Sequence, residues 1–337
     1  MNRKSKIWIT VAIVAIVCGL TTFQNCGKHK GTTDEVLIGI AWRADTESEF
    51  YTNVVRAIEE AGGIPVMLDQ VYPNGYTLEG STLSASYSDE QGILLQTFAD
   101  EVKTLPASGS NVAAAVGSVS AVVFTGGEDI SPTLMRTPEQ WHGIEAEKDY
   151  NVTRDVSDYL TLAYCLEQDM PVMGMCRGMQ MLSVVSGATV IQDIPTYFDG
   201  QGITYDFMHR NQSQPGQYRD YASHVVSVTN RESHLYHITA TDTIIGVPSW
   251  HHQCVGSVSG TPLVVTGVTN THGIDIIEAV ERADKTFCIG LQFHPEAAIV
   301  KHLDQVVNAS QFMSYDHALL YFKELVRQAQ AKTARSK

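Results

Sequence analysis

The sequence predicts an α/β fold in which helices cover both faces of a mostly parallel central β-sheet. Short apolar runs alternate along the chain with segments of helical periodicity, as expected when a parallel sheet is buried between two layers of helices. The composition agrees, since 44% of the 337 residues are hydrophobic and 18% are charged. The sequence contains no internal repeat or low-complexity segment. We therefore expect one domain over residues 35–331, followed by a tail at 332–337.

The elements follow from these patterns in order. Apolar runs predict strands at residues 36–40, 64–68, 121–124 and 171–175, and further strands around Val225, Val264 and Ile276 and at 287–293. Helical spacing begins with Tyr51, Val54, Val55 and Ile58, and a glycine pair at 62–63 ends that helix. The same spacing predicts helices at 93–102 and 152–168, directly after Cys176, and from about Ser314.

The N-terminal segment has the pattern of an export signal. Basic residues precede an apolar stretch at 7–20, which as a helix would cover about 21 Å, short of the about 30 Å of a bilayer core. The segment that ends at Cys26 resembles a bacterial lipoprotein signal, in which the cysteine is acylated and becomes the new N-terminus. Residues 1–25 would then be the signal peptide and 26–34 a linker.

An uncleaved N-terminal anchor is the alternative to lipidation, and Cys18 is a rival acceptor within the apolar run. Either way we expect an exported protein held at the membrane of a bacterial cell envelope. The net charge of −14 argues against a nucleic-acid partner, because such proteins usually carry a basic face.

A Gly-x-Cys-x-Gly pattern at 174–178 lies between a predicted strand and a predicted helix. It resembles a nucleophile elbow, a sharp turn that exposes its central residue at the positive end of a helix. The helix end favours a thiolate at Cys176 and helps to hold an oxyanion. A buried core cysteine beside an ordinary turn is the alternative, and we prefer that interpretation for Cys165, Cys254 and Cys288.

A His-Pro-Glu string, His294 to Glu296, follows the predicted strand at 287–293. In extended backbone, residues two apart project to the same side, so Glu296 could orient His294 toward a nucleophile. Alone the string is weak and fits a surface loop. Together with the elbow it indicates a Cys–His–Glu triad.

Two further loops are candidates for substrate contact. Paired glycines at 126–127 follow the strand at 121–124, where a backbone N–H could complete an oxyanion hole; a plain turn is the alternative. The loop at 249–253 contains His251 and His252, but no acidic or cysteine partner has a recognisable ligand spacing. We therefore expect a substrate-facing polar loop and no metal site.

Taken together, these segments resemble the class I glutamine-amidotransferase-like hydrolases, and within them the gamma-glutamyl-gamma-aminobutyrate hydrolase group. The residues that match in the group's order are 126–132 (G-G-x-D-x-x-P), 154–155 (R-D), 171–180 around the elbow, 192–195 (Q-D-I-P), 249–253 (S-x-H-H-Q) and 290–296. The resemblance spans about residues 36–331.

The resemblance implies a flavodoxin-like three-layer αβα sandwich and a triad of Cys176, His294 and Glu296. It implies an oxyanion hole formed by the backbone N–H groups of Gly127 and Arg177. The residues implied along the gamma-glutamyl group are Gly126, Gln180, Ser249, His251, His252 and Gln253.

The activity implied is hydrolysis of a gamma-glutamyl amide bond through a thioester on Cys176, with no cofactor and a small-molecule substrate. Two other classes stay open: a glutaminase-type amidotransferase subunit that feeds ammonia to a synthase, and a non-catalytic binding lipoprotein on the same fold. The amine half of the substrate and the oligomeric state, including a homodimer, also stay open.

Overall fold

A computed structural model describes residues 35–138, 141, 143 and 145–335. The predicted signal peptide at 1–25, the linker at 26–34 with its Cys26 acylation site, and the last two residues lie outside the described part. Within the described part, every helix is too short or too polar to span a lipid bilayer.

Eight strands of the described chain lie close to the positions that the apolar runs predict, and five others, between two and seven residues long, were not predicted. In chain order they are β1 (Leu37–Ile40), β2 (Ile64–Met67), β3 (Leu78–Glu79), β4 (Thr82–Leu83), β5 (Ala121–Phe124), β6 (Val172–Met175), β7 (Val190–Ile191), β8 (Ala222–Val228), β9 (Thr243–Ser249), β10 (Cys254–Val255), β11 (Leu263–Thr271), β12 (Ile274–Arg282) and β13 (Cys288–Leu291).

The helices include those predicted from periodicity and several short ones that the sequence did not indicate. They are α1 (Glu49–Glu60), α2 (Gln96–Thr104), α3 (Val112–Val116), α4 (Val152–Glu167), α5 (Arg177–Val185), α6 (Ile194–Gly200), α7 (His234–Thr239), α8 (Pro295–Leu303) and α9 (Tyr315–Arg335). The last helix runs to Arg335, beyond residue 331 where we expected the domain to end.

The central sheet has the strand order β2-β1-β5-β6-β13-β12-β11-β8-β9. The strands from β2 to β13 pair in parallel, and those from β13 to β9 pair antiparallel. The parallel half is the part that the alternation of strands and helices predicts. The antiparallel arm is built from the later apolar runs, whose direction the sequence pattern does not reveal.

Two layers of helices enclose the sheet, because successive side chains of each buried strand point to opposite faces. Val122 and Phe124 of β5 pack with α2, α3, α4 and α5 on one face. Ala121 and Val123 of the same strand pack with α1, α8 and α9 on the other. The predicted αβα class is therefore confirmed.

Three neighbouring parallel strands carry the motifs that the sequence singled out. Phe124 of β5 pairs with Gly174 of β6, which pairs with Gly290 of β13. The three strands therefore end at one level of the sheet. Since carboxyl ends of parallel strands share an edge, the glycine pair, the elbow and the His-Pro-Glu string emerge side by side.

Candidate active site

Cys176 lies at the turn between β6 and α5 in a backbone conformation that few residues adopt, with φ +51° and ψ −108°. The glycines on either side are required by space. A Cβ on Gly174 would lie 2.5 Å from the carbonyl oxygen of Gly178, and one on Gly178 would lie 2.3 Å from that of Phe124. The Gly-x-Cys-x-Gly pattern is thus explained by backbone contacts too close for any side chain.

The Cys176 side chain is almost covered, with 5% of the residue exposed. Its N–H donates to the carbonyl of Leu291 at 2.7 Å, and its Sγ lies 3.8 Å from the carbonyl oxygen of Trp250. The sulfur stands at the N-terminal end of α5, where the helix dipole favours negative charge.

The other cysteines of the described chain, Cys165, Cys254 and Cys288, are buried in the core. Burial raises the pKa of each thiol, to about 12 for Cys288. These thiols therefore ionise poorly and are weak nucleophiles. This agrees with the sequence, in which none of the three cysteines lies between glycines.

His294 and Glu296 are paired in the interior, where Nδ1 of the imidazole lies 2.6 Å from Oε1 of the carboxylate. The sequence argument attributed this pairing to extended backbone, and that reason is wrong. Strand β13 ends at Leu291, and His294 caps helix α8, so Glu296 lies in the first helical turn. A hydrogen bond from the His294 N–H to the carbonyl of Pro248, at 2.9 Å, fixes the cap.

The electrostatic environment of His294 favours the protonated ring. Burial works against the charge, but the Glu296 carboxylate and Cys176 outweigh it and raise the pKa of His294 to about 10. Its aromatic neighbours are Phe50 and Tyr221, with ring centroids 5.7 and 5.2 Å from that of the imidazole.

Gly126 occupies the narrow space between the imidazole and the elbow. A Cβ at this position would lie 2.7 Å from Cε1 of His294 and 3.5 Å from Cβ of Cys176. The ring of His294 and the side chain of Cys176 therefore approach the same point from two sides. Here the structure brings together the three residues that the sequence proposed as a triad.

A network of buried charges lies behind the elbow. The Arg177 side chain pairs with Asp158 and, at 2.6 Å, with Asp155. Arg154 pairs with Glu128, lies 3.3 Å from Asp158, and donates to the carbonyl of Thr125 at 3.0 Å. The network ties α4 to the elbow and to the loop after β5.

The two backbone positions implied in the oxyanion hole lie against this network. Gly127 has φ +141°, and a Cβ there would lie 2.1 Å from Nη1 of Arg154. Arg177 is the first residue of α5, so its N–H belongs to the helical turn that has no intrahelical acceptor. Burial would raise the pKa of Glu128, but Arg154 and Arg177 hold it well below its usual range.

His252 connects the loop at 249–253 to the loop after β5. Its Nε2 lies 3.0 Å from Asp129 and its Nδ1 lies 3.1 Å from Asp193, a residue of the Gln-Asp-Ile-Pro segment. Burial opposes the charge of the ring, but these two hydrogen bonds raise the pKa of His252.

A cavity of about 650 Å³ opens above the elbow. Of the residues proposed for substrate contact or catalysis, those that line it are Gly127, Cys176, Gln180, His251, His252 and Gln253. Ser249 lies outside the lining, is fully buried, and donates its hydroxyl to the carbonyl of His209 at 2.8 Å. It supports the loop from behind.

Gln180 and Gln253 contribute two side-chain amides to the cavity wall. Nε2 of Gln180 donates to the carbonyl of Gln253 at 3.0 Å, which fixes one amide. The side-chain oxygen and nitrogen of Gln253 are both buried and have no hydrogen-bond partner among the described residues. The Gln253 amide therefore keeps its donor and its acceptor unpaired within the described chain, in a residue that lines the cavity.

Several lining residues were not found by sequence reasoning: Arg43, Phe50, Arg210, Arg219 and Trp250. Arginines and aromatic residues in loops give no pattern on their own. Trp250 lies inside the recognised loop and could have been inferred from its position. His251 also belongs to a buried group with His209, His224 and Glu278, the group of described residues that could hold a metal ion.

Comparisons with known proteins find a matching family and similar relatives. The sequence profile described as Peptidase C26 matches residues 96–296. Protein NtpR of Enterococcus hirae is 30% identical over 194 residues, covering 57% of this chain and 73% of its own. A Mycobacterium tuberculosis protein provisionally named a glutamine amidotransferase is 31% identical over 244 residues, covering 70% of each chain.

Replacing Gly126 by alanine should displace the imidazole from the thiol. We expect alkylation of Cys176 by iodoacetamide at pH 7 to slow at least about tenfold, because the displaced imidazole no longer stabilises the reactive thiolate. Peptide mass spectrometry would measure the modification at Cys176 alone. Gly200→Ala is the matched control, because nothing lies within 4 Å of its added Cβ. Unchanged alkylation of the Gly126→Ala protein would contradict this geometry.

The raised pKa of His294 predicts a pH-dependent contribution to stability. The protonated ring stabilises the fold fully below its unfolded pKa of about 6.5, and this contribution is lost as pH rises toward about 10. The difference in unfolding free energy between wild type and His294→Gln should therefore be larger at pH 6 than at pH 10. We expect the change to be at least about 1.4 kcal/mol, one pKa unit.

Urea unfolding of both proteins at the two pH values measures this difference. In the Glu296→Gln background the same comparison should depend less on pH, because the carboxylate is the main group that raises the pKa. A difference that is constant with pH, or that grows toward pH 10, would show that the ring is neutral in the folded state.

Proposed function

This chain belongs to the Peptidase C26 family, whose members are cysteine-type hydrolases and amidotransferases, and we propose that it hydrolyses gamma-glutamyl amide bonds. The observation that carries the proposal is the position of His294, between the carboxylate of Glu296 and the elbow that presents Cys176. A base oriented by a carboxylate beside a thiol at a helix N-terminus suits attack on an amide carbonyl.

The proposed reaction begins with the Cys176 thiolate and the His294 imidazolium. Sγ attacks the side-chain carbonyl carbon of the gamma-glutamyl group, and a C–S bond forms. The N–H groups of Gly127 and Arg177 hold the oxyanion. As the C–N bond breaks, His294 gives its proton to the departing amine, which leaves a gamma-glutamyl thioester.

Water completes the cycle. His294, now neutral, takes a proton from a water molecule that attacks the thioester carbonyl, and the C–S bond breaks. Glutamate leaves, and the thiolate–imidazolium pair is restored. Glu296 keeps the ring oriented throughout, and no cofactor takes part in these steps.

The charges of the cavity suit the free end of a gamma-glutamyl group, which carries an ammonium and a carboxylate. Arg43, Arg210 and Arg219 provide positive charge in the lining, and Asp45, Glu128 and Glu147 provide negative charge. The Gln253 amide adds a donor and an acceptor without protein partners. A wall with charges of both signs favours a zwitterionic head over a purely anionic ligand.

Loss of the Cys176 thiol should remove this activity. We expect Cys176→Ala to lower kcat on gamma-glutamyl-p-nitroanilide by about three orders of magnitude or more, as for other triad nucleophiles. Cys165→Ala, a change in the core outside the cavity lining, should keep the activity. The alpha-glutamyl isomer should be inert, and intact mass spectrometry should detect an adduct of one glutamyl residue on wild type.

Turnover by the Cys176→Ala protein, or equal cleavage of both isomers, would contradict the proposal. Ammonia release from glutamine together with inert gamma-glutamyl anilide would instead indicate a glutaminase.

We further propose that the protein acts outside the cytoplasm, held at the membrane by a lipid on Cys26. In bacterial cells, metabolic labelling with an alkyne fatty acid should mark the wild-type chain. The label should disappear in Cys26→Ser and persist in Cys18→Ser, because Cys18 lies within the apolar run. Loss of the label in Cys18→Ser alone would reassign the acceptor. An unlabelled wild-type chain with an intact N-terminus would indicate an uncleaved anchor.

A further inference from the structure

Four buried side chains from separate parts of the chain converge beneath the loop at 249–253. They are His209, His224 of β8, His251 of the loop and Glu278 of β12. One ligand atom from each lies within 4.8 Å of those of the other three. The exposed fraction of each side chain is at most 1%. Among the described residues, Nδ1 of His209, Nε2 of His224, Nε2 of His251 and both oxygens of Glu278 lack a hydrogen bond of good geometry.

The tautomer of each histidine follows from the partner of the ring nitrogen that points away from Glu278. Nδ1 of His251 lies 2.8 Å from the carbonyl oxygen of Gln253, which can only accept, so this nitrogen carries the proton. Nδ1 of His224 lies 3.1 Å from Oγ1 of Thr269, whose own proton goes to the carbonyl of Val225 at 2.8 Å. That hydroxyl therefore accepts from His224.

The third ring follows the same rule. Nε2 of His209 lies 3.3 Å from Oγ1 of Thr271, whose hydroxyl donates to Sδ of Met208. His209 therefore donates outward through Nε2. All three rings then direct a bare lone pair inward, toward the oxygens of Glu278.

Three lone pairs and a carboxylate facing one another in the interior repel unless a cation lies among them. A single shared proton would satisfy one ring and leave the other two nitrogens without a donor. We propose that His209, His224, His251 and Glu278 bind a divalent transition-metal ion, zinc by its preference for imidazole and carboxylate ligands.

The spacing of the ligand atoms suits this ion. Oε1 of Glu278 lies 3.0, 3.8 and 3.7 Å from the inward nitrogens of His209, His224 and His251. In a tetrahedral zinc site with bonds of about 2.0–2.1 Å, neighbouring ligand atoms are about 3.3 Å apart. The hydroxyl and carbonyl groups on the outer nitrogens are the second shell that orients metal-binding histidines.

Four protein ligands close such a site, so its role is structural. The ion would fasten the cavity loop to the sheet arm, since His251 lines the cavity while His224 and Glu278 lie on β8 and β12. The carbonyl of His209 also accepts from the N–H of His251 at 3.1 Å and from Ser249, which joins the ligand segment to the loop.

Metal analysis of the full-length protein tests this assignment. After equilibration with zinc and exhaustive dialysis, we expect about one zinc ion per chain, lost in Glu278→Gln and in His224→Ala. His272→Ala is the matched control and should retain the ion, because the His272 side chain is half exposed and outside the cluster. Cobalt loaded in place of zinc should give the visible absorption of a tetrahedral nitrogen and oxygen site.

The wild-type measurements decide the question even if a variant fails to fold. A metal-free wild type after zinc loading would overturn the proposal. So would a cobalt spectrum with a thiolate charge-transfer band, or an ion retained by Glu278→Gln, because either places the metal on other ligands.

Discussion

The contact between Gly178 and the carbonyl oxygen of Phe124 is the constraint on which the candidate site depends. It sets the first turn of α5 directly against the end of β5, at a separation that no side chain permits. With α5 so close, Cys176 must turn through a positive φ, and its sulfur emerges beside the glycine loop. The imidazole of His294 then reaches the elbow from the N-cap of α8, which follows β13, the next strand of the sheet.

A network of charged side chains behind the elbow holds the elbow and the glycine loop in place. Glu128, Arg154, Asp158, Arg177 and Asp155 form a continuous chain of ion pairs from the glycine loop to the elbow. Such a network is costly to desolvate and is stable only when every member is paired, so its value is in fixing positions more than in adding stability. The side chain of Arg177 anchors the elbow in this network, and its backbone N–H is left for the oxyanion hole that we propose.

Much of the fold and of the site could be predicted from the sequence, because the patterns that indicate them lie within short segments of the chain. The alternation of apolar runs and helical periodicity predicts the parallel half of the sheet, and glycines on both sides of Cys176 predict the turn. The antiparallel arm could not be predicted, because strand direction and register depend on pairing between distant segments. His294 and Glu296 were correctly paired in space, but through a helix start and not through strand alternation.

The cluster of His209, His224, His251 and Glu278 was missed for the same reason. Its members come from four segments without a fixed spacing, and only the pairing of the arm brings them together. From the sequence we expected His251 to belong to a loop without metal. The sequence does not reveal that β8 and β12 pass beneath that loop.

Two adjacent residues of one loop face opposite partners. His251 points down toward Glu278, and His252 points across toward Asp129 and Asp193. Inserting or deleting one residue here would exchange their directions and disturb both attachments at once. Among relatives, this segment should therefore tolerate substitutions more readily than insertions or deletions. Surface turns such as the β3–β4 hairpin should tolerate both.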